Sequence, residues 1–204
     1  MDKEKRVAGD YTIIEAIHIG NKEIVIGENM QAKDGHCYMV ADYTYNELFE
    51  RYDNCMISNS YIEIAELFVQ RLTQQVEQVN AEQDKMNIPF EVITSDMCYP
   101  NIYNESIEGK VVAIKANVLR PEHRHAASQI VYVTGGNGSR ANARGNAVFC
   151  NYVYSGEHTR FERYDVQGVL KPEHYPKWVA EKLKLLEAKR AEQTPKPKSK
   201  EMER

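Results

Sequence analysis

One long helical stripe constrains this chain more than any other feature. From Ser58 to about Lys85, Ile62, Ala65, Leu67, Phe68, Leu72, Val76 and Val79 recur at three- and four-residue steps, with Glu and Gln filling the opposite side. Asn59 or Ser60 can cap its start, because a short polar side chain accepts from the unpaired amides of the first turn. Asn87-Ile88-Pro89 ends it, since proline cannot continue a helix. A stripe this thin must be covered by a sheet or by a partner helix, and the sheet is the commoner cover.

Short β-branched segments lie on both sides. Residues 1–9 read as frayed. Tyr11–Ile19 and Lys22–Ile26 read as a hairpin about Gly20-Asn21, and Cys37–Tyr43 as a third strand. Thr44–Tyr52 reads as a short helix, with Thr44 as N-cap and Glu47 three residues on. Further strands are expected at Phe90–Thr94, Lys110–Leu119 and Gln129–Thr134, and Ala147–Tyr154 with Arg160–Leu170 reads as a hairpin. Ser95–Gly109 reads as an aromatic-rich irregular stretch over a core edge. Pro172 and Pro176 introduce a C-terminal helix over about 177–191. The resulting class is α+β: mostly antiparallel sheet regions packed by one long helix, about 59–86, and the C-terminal helix. The expected division is 10–94, 95–192 and a disordered tail over 193–204, the first two forming one compact unit.

Charge divides the chain in a similar way. Residues 1–109 carry eight Lys and Arg against twenty Asp and Glu, a net of −12; residues 110–171 are +5 and residues 172–204 are +3. The overall net charge is only −4, and 42% of residues are hydrophobic, which excludes wholesale disorder. No apolar run approaches the ~18 residues of a membrane span. The charged N-terminus leads into no signal-peptide core, so a cytoplasmic protein without membrane contact is expected. Cys37, Cys55, Cys98 and Cys150 stand singly, a pattern of reduced thiols and not of a zinc site. His123 and His125 form an H-x-H pair for which spacing offers no third ligand, so no metal is expected.

Residues 134–145, Thr-Gly-Gly-Asn-Gly-Ser-Arg-Ala-Asn-Ala-Arg-Gly, hold the candidate site. Gly135, Gly136 and Gly138 would let backbone amides approach an anion, and Arg140 and Arg144 would add forked contacts, supported by Arg160 and Arg163 from the next hairpin. The segment is neither a P-loop nor a dinucleotide fingerprint. Tyr132, Tyr152, Tyr154, Phe161 and Tyr164 interleave with those arginines, as in sheets that stack single-stranded bases, although a core role accounts for at least half of them. No motif assembles a nucleophile, a base and an orienting group, so no catalytic residue and no cofactor are expected. The reading is a non-enzymatic protein that binds nucleic acid or a protein partner through its basic C-terminal half. Two alternatives stay open. One is an enzyme or nucleotide-binding protein with a phosphate site at loop 134–145. The other is an anti-restriction or anti-defence protein acting through the acidic N-terminal half, which could imitate the charge of DNA.

Several blocks carry a resemblance. Ile17-His18-Ile19-Gly20-Asn21-Lys22-Glu23, Lys110-Val-Val-Ala-Ile-Lys115, the stretch Gln129 to Gly138, Ala143 to Phe149, and Arg163 to Pro172 together resemble an uncharacterised family of small accessory proteins from conjugative and integrative elements of gut-dwelling Gram-positive bacteria. The similar stretches span about residues 11–190. The resemblance implies a mobile-element setting and a cytoplasmic location. It implies no reaction and assigns no site residues.

Overall fold

The computed structural model describes residues 6–45 and 49–193. The chain divides into two units, Met1–Asn87 and Ile88–Arg204. In the first unit, β1 (Val7–Ala8), β2 (Tyr11–Ile19), β3 (Lys22–Glu28), β4 (Tyr38–Tyr45) and β5 (Glu50–Ser58) form a five-stranded meander in sequence order, every neighbouring pair antiparallel. Helix α1 (Tyr61–Met86) follows. The Ser60 hydroxyl accepts from the Glu63 amide at 3.4 Å, and Asn87, at φ 48°, ends the helix in the left-handed conformation with its N–H on Asp84 O.

Ile64 and Phe68 of α1 bury against Ile24, Ile26 and Val40 of the sheet. The opposite face of the same strands holds Val25, Met39 and Ala41 beneath Tyr11, Ile13, Tyr43 and Tyr52. The centres of β3 and β4 are thus buried on both faces, which is why they read as continuous apolar runs. Burying a side chain such as Ile64 stabilises by about 2 kcal/mol. Leu67 and Leu72 pack half-buried at the margin of this cluster, whereas Ile62 and Val76 remain 65% and 41% exposed.

The helix is tied down at its middle by charge. Where β4 pairs β5 the register slips between Val40 and Asp42, so that Ala41 faces both Asn54 and Cys55, and Asn54 adopts φ 52°. The buried Asp42 carboxylate accepts from Arg71 Nη1 at 3.1 Å and from Asn54 Nδ2 at 2.9 Å, while Arg71 Nη2 donates to Asn54 O at 2.7 Å. Arg71 thereby joins α1 to the bulge.

In the second unit β6 (Cys98–Pro100), β7 (Val111–Ile114), β8 (Ile130–Gly135), β9 (Ala147–Tyr152), β10 (His158–Glu162) and β11 (Val166–Leu170) form one sheet of order β10-β9-β8-β7-β11-β6, again antiparallel throughout. A short helix α2 (Ala126–Gln129) precedes β8, and α3 (Lys177–Gln193) closes the unit, burying Val179 and Leu186. Ile93, Val111, Ala113, Ile130 and Val179 fill one side of this sheet; Val112, Ile114, Val131, Val148 and Val166 fill the other. The architecture is α+β with antiparallel sheets, as the sequence predicts. No helix among the described residues is long and apolar enough to cross a membrane.

Several local expectations are corrected. Thr44–Tyr52 is not helical: β4 runs through Tyr45 and β5 begins at Glu50, because Tyr43 and Tyr52 pair across the strands with ring centroids 4.8 Å apart. The proposed capping partner Glu47 lies outside the described residues, as do residues 1–5 and the expected tail from 194 onward. Within the supposedly frayed start, Val7 and Ala8 form a strand, with Gly9 at φ 58° supplying the turn into β2. Phe90–Thr94 joins no ladder. The Gln129 side chain takes its place, accepting from Ile93 N at 2.9 Å and donating to Ile93 O at 3.1 Å. Lys110–Leu119 is a strand only over Val111–Ile114, and β6 lies inside the stretch expected to be irregular. Arg160–Leu170 is two strands, separated by a 3-10 turn at Arg163–Asp165 that sends β11 to β7 and not to β9.

Candidate nucleic-acid interface

The glycines of loop 134–145 have a structural cause. A Cβ on Gly136 would stand 2.3 Å from Ala147 O, and one on Gly138 would stand 2.2 Å from Asn146 O. The loop folds back on the residues that lead into β9, and only hydrogen fits between the two backbones. Gly136 also holds φ 105°. The close approach these glycines permit is spent on the chain's own backbone. Ser139, fully buried, donates its hydroxyl to Gly136 O at 2.8 Å, and its carbonyl accepts from Ile107 N at 2.8 Å.

Arg163 does not belong to a solvent-facing site, which corrects its sequence assignment. It is 2% exposed. Nε donates to Asn101 Oδ1 at 2.9 Å, Nη1 to Gly138 O at 3.1 Å, and Nη2 to Ile102 O and Glu105 O at 2.8 and 3.1 Å. Its guanidinium also lies 5.3 Å from the centre of the Tyr103 ring. Burial pushes its pKa below the usual value. The fork clamps the glycine loop to the 101–105 segment, and four of its five N–H donors are taken by the chain itself. The turn that presents it is fixed by Glu162 and Asp165, each side chain accepting from the other's backbone amide.

Arg140 and Arg144 stand on the outside of this clamped loop. Both are exposed, and among the described residues neither has a hydrogen-bond or ion-pair partner. The loop runs directly into β9, where alternation separates two faces. Val148 and Cys150 point into the core with Tyr152 and Phe161, whose rings meet edge to face at 6.3 Å. Phe149 and Asn151 point the other way. Register places Arg160 opposite Phe149 and His158 opposite Asn151. Phe149 is 41% exposed and stacks on His158, centroids 6.1 Å apart and planes at 27°. His158 Nδ1 lies 3.1 Å from Asn151 Oδ1, which holds the imidazole in that stack. Arg160 is paired with Glu162, two residues along its own strand. The arrangement is an exposed phenyl and an exposed imidazole side by side on an antiparallel ribbon, with a guanidinium beside them and two unpaired guanidinium groups on the loop before.

Sequence reasoning grouped Gly135, Gly136, Gly138, Arg140, Arg144, Arg160 and Arg163. The fold puts Arg140, Arg144 and Arg160 at the surface and uses Gly136, Gly138 and Arg163 to build the loop; Gly135, at φ 156°, pairs with Phe149 across a bulge. Phe149 and His158 were missed. The signal was present in the alternation of Ala147–Tyr152, which places Phe149 and Asn151 opposite the apolar Val148 and Cys150.

The histidine pair also divides. His123 is exposed, whereas His125 is 5% exposed and packs on Phe90 at 5.5 Å. Its Nε2 has no partner, and burial lowers its pKa. Among the described residues no three His, Cys, Asp or Glu side chains gather as a metal site. No protein-family model, curated protein or solved structure matches the chain.

Proposed function

We propose that the protein binds single-stranded nucleic acid across the outer face of β9 and β10. The observation that supports this reading most directly is Phe149, a large aromatic ring left open in the middle of a strand and stacked on His158. An apolar ring at such a position has no core to fill, while a base offers a π-face of matching shape. Arg160, Arg140 and Arg144 supply the cations that a phosphate backbone requires. The groove of a duplex would need a protruding helix or ribbon; a flat platform suits unpaired bases. A mobile-element accessory protein, as the sequence resemblance implies, would meet such strands during transfer of the element.

The test is fluorescence anisotropy with labelled single-stranded DNA and RNA, and with a duplex of the same sequence, at low salt. The expected result is preference for single strands. Phe149→Ala should weaken binding by roughly 10-fold, within the ~1–3 kcal/mol of one base–aromatic stack. Arg140→Ala with Arg144→Ala should lower the slope of log affinity against log salt by about 1.4, at ~0.7 per phosphate on a single strand. Absence of binding to any nucleic acid at low salt rejects the proposal.

A further inference from the structure

A separate cavity of about 600 Å³ opens in the second unit beside β6 and β11. Its size is that of a small-molecule site. Tyr99, Tyr132 and Tyr175 form aromatic walls over a floor that includes Ile107, Val111 and Leu170, all buried core residues. Leu183 of α3 closes one side. Two residues of the lining, Lys110 and Tyr175, carry donors. The Tyr175 hydroxyl, whose pKa burial raises, has no hydrogen-bond partner among the described residues. Among the described residues the Lys110 ammonium is ion-paired with Glu105 alone, at 3.9 Å, with side chains 42% and 64% exposed. So long and open an ion pair contributes little and is readily exchanged.

We infer that this cavity binds an aromatic acid: an apolar ring system between the tyrosines, with a carboxylate or sulfonate taken by Lys110 and Tyr175. A large pocket with an apolar floor and a few polar groups is the ordinary form of a ligand site; here the Asn101 side chain is taken by Arg163 and Val166, which leaves Lys110 and Tyr175 as side-chain donors of the lining. Glu105 then acts as a placeholder for the ligand anion. The site does not depend on the β9–β10 platform, which lies on other strands.

The full chain, ¹⁵N-labelled, is titrated with 2-naphthoate and, as an uncharged comparison, with 2-naphthalenemethanol. Saturable amide shifts confined to residues 99–111, 132 and 169–183 are expected with both. Naphthoate should bind about fivefold more tightly, the worth of one partly exposed ion pair. Lys110→Gln should remove that difference. Leu183→Trp should block both ligands, with Ile102→Trp, at an exposed lining position, as the alternative filler if the first variant does not fold. Arg140→Ala should change neither affinity. Non-saturating shifts, or shifts centred elsewhere, would overturn the site. Equal affinities in the unaltered chain would overturn its preference for an acid.

Discussion

Replacing Arg163 by methionine tests the account of the glycine loop most sharply. The guanidinium makes four hydrogen bonds, three to backbone carbonyls and one to Asn101. At about 1.5 kcal/mol for a charged donor, their loss comes to about 6 kcal/mol. Removing a buried cation with no ion-pair partner among the described residues returns part of this, because several kcal/mol of desolvation cost disappear with it. The expected net loss is about 3 kcal/mol. Arg163→Lys should lose nearly as much, since one ammonium cannot reach acceptors spread over a planar fork. The single tryptophan, Trp178, packs against the core of this unit and meets Tyr154 edge to face at 5.7 Å, so its fluorescence reports unfolding of this unit. In urea, at about 2 kcal/mol per molar, the midpoint should fall by about 1.5 M. A loss under about 1 kcal/mol would refute the reasoning, and would mean that the loop holds itself without the clamp.

Two further outcomes follow from the same unit. Gly138→Ala, whose Cβ would meet Asn146 O at 2.2 Å, should cost about 3 kcal/mol in the Trp178 assay, whereas Gly109→Ala, with positive φ but nothing nearer than 3.8 Å, should cost only about 1 kcal/mol; a loss at Gly138 no larger than that at Gly109 would show that the close backbone contact is relieved at little cost. His125, ordinarily near 6.5, has its pKa lowered by burial and by His123, so the unfolded chain takes up its proton first as pH falls. Its contribution to stability is complete above pH 6.5 and is lost progressively below it. His125→Phe should therefore show a flatter decline in urea midpoint between pH 7 and pH 5, and an unchanged decline would exclude this histidine as the cause.

The long helix was legible because its stripe repeats over many turns and its ends are marked by Ser60 and by Asn87 before Pro89. Strands β2, β3 and β4 were legible as β-branched, apolar runs set off by the Gly20-Asn21 turn and the Gly27–Gly35 loop. What escaped had a common physical origin in side chains that replace backbone partners. Gln129 substitutes for a strand along Ile93, and Arg163 substitutes for local hydrogen bonds in a loop. Neither leaves a periodic trace. Strand β5 was hidden because its bulge at Asn54 breaks the two-residue rhythm. Of the candidate site, the loop and its exposed arginines could be read from composition. The role of the glycines could not, because it depends on which backbone lies beneath them.

Among the described residues β5 has a neighbour on one side only. A nine-residue strand with an open edge invites a second chain to continue the sheet. The left-handed Asn54 interrupts that invitation: it rotates the strand midway, so the amides and carbonyls before and after it no longer lie along one line. Any chain docking there would find regular pairing for half the length of the strand and then lose it. The bulge that lets Arg71 reach Asn54 therefore also guards the sheet against growing by aggregation.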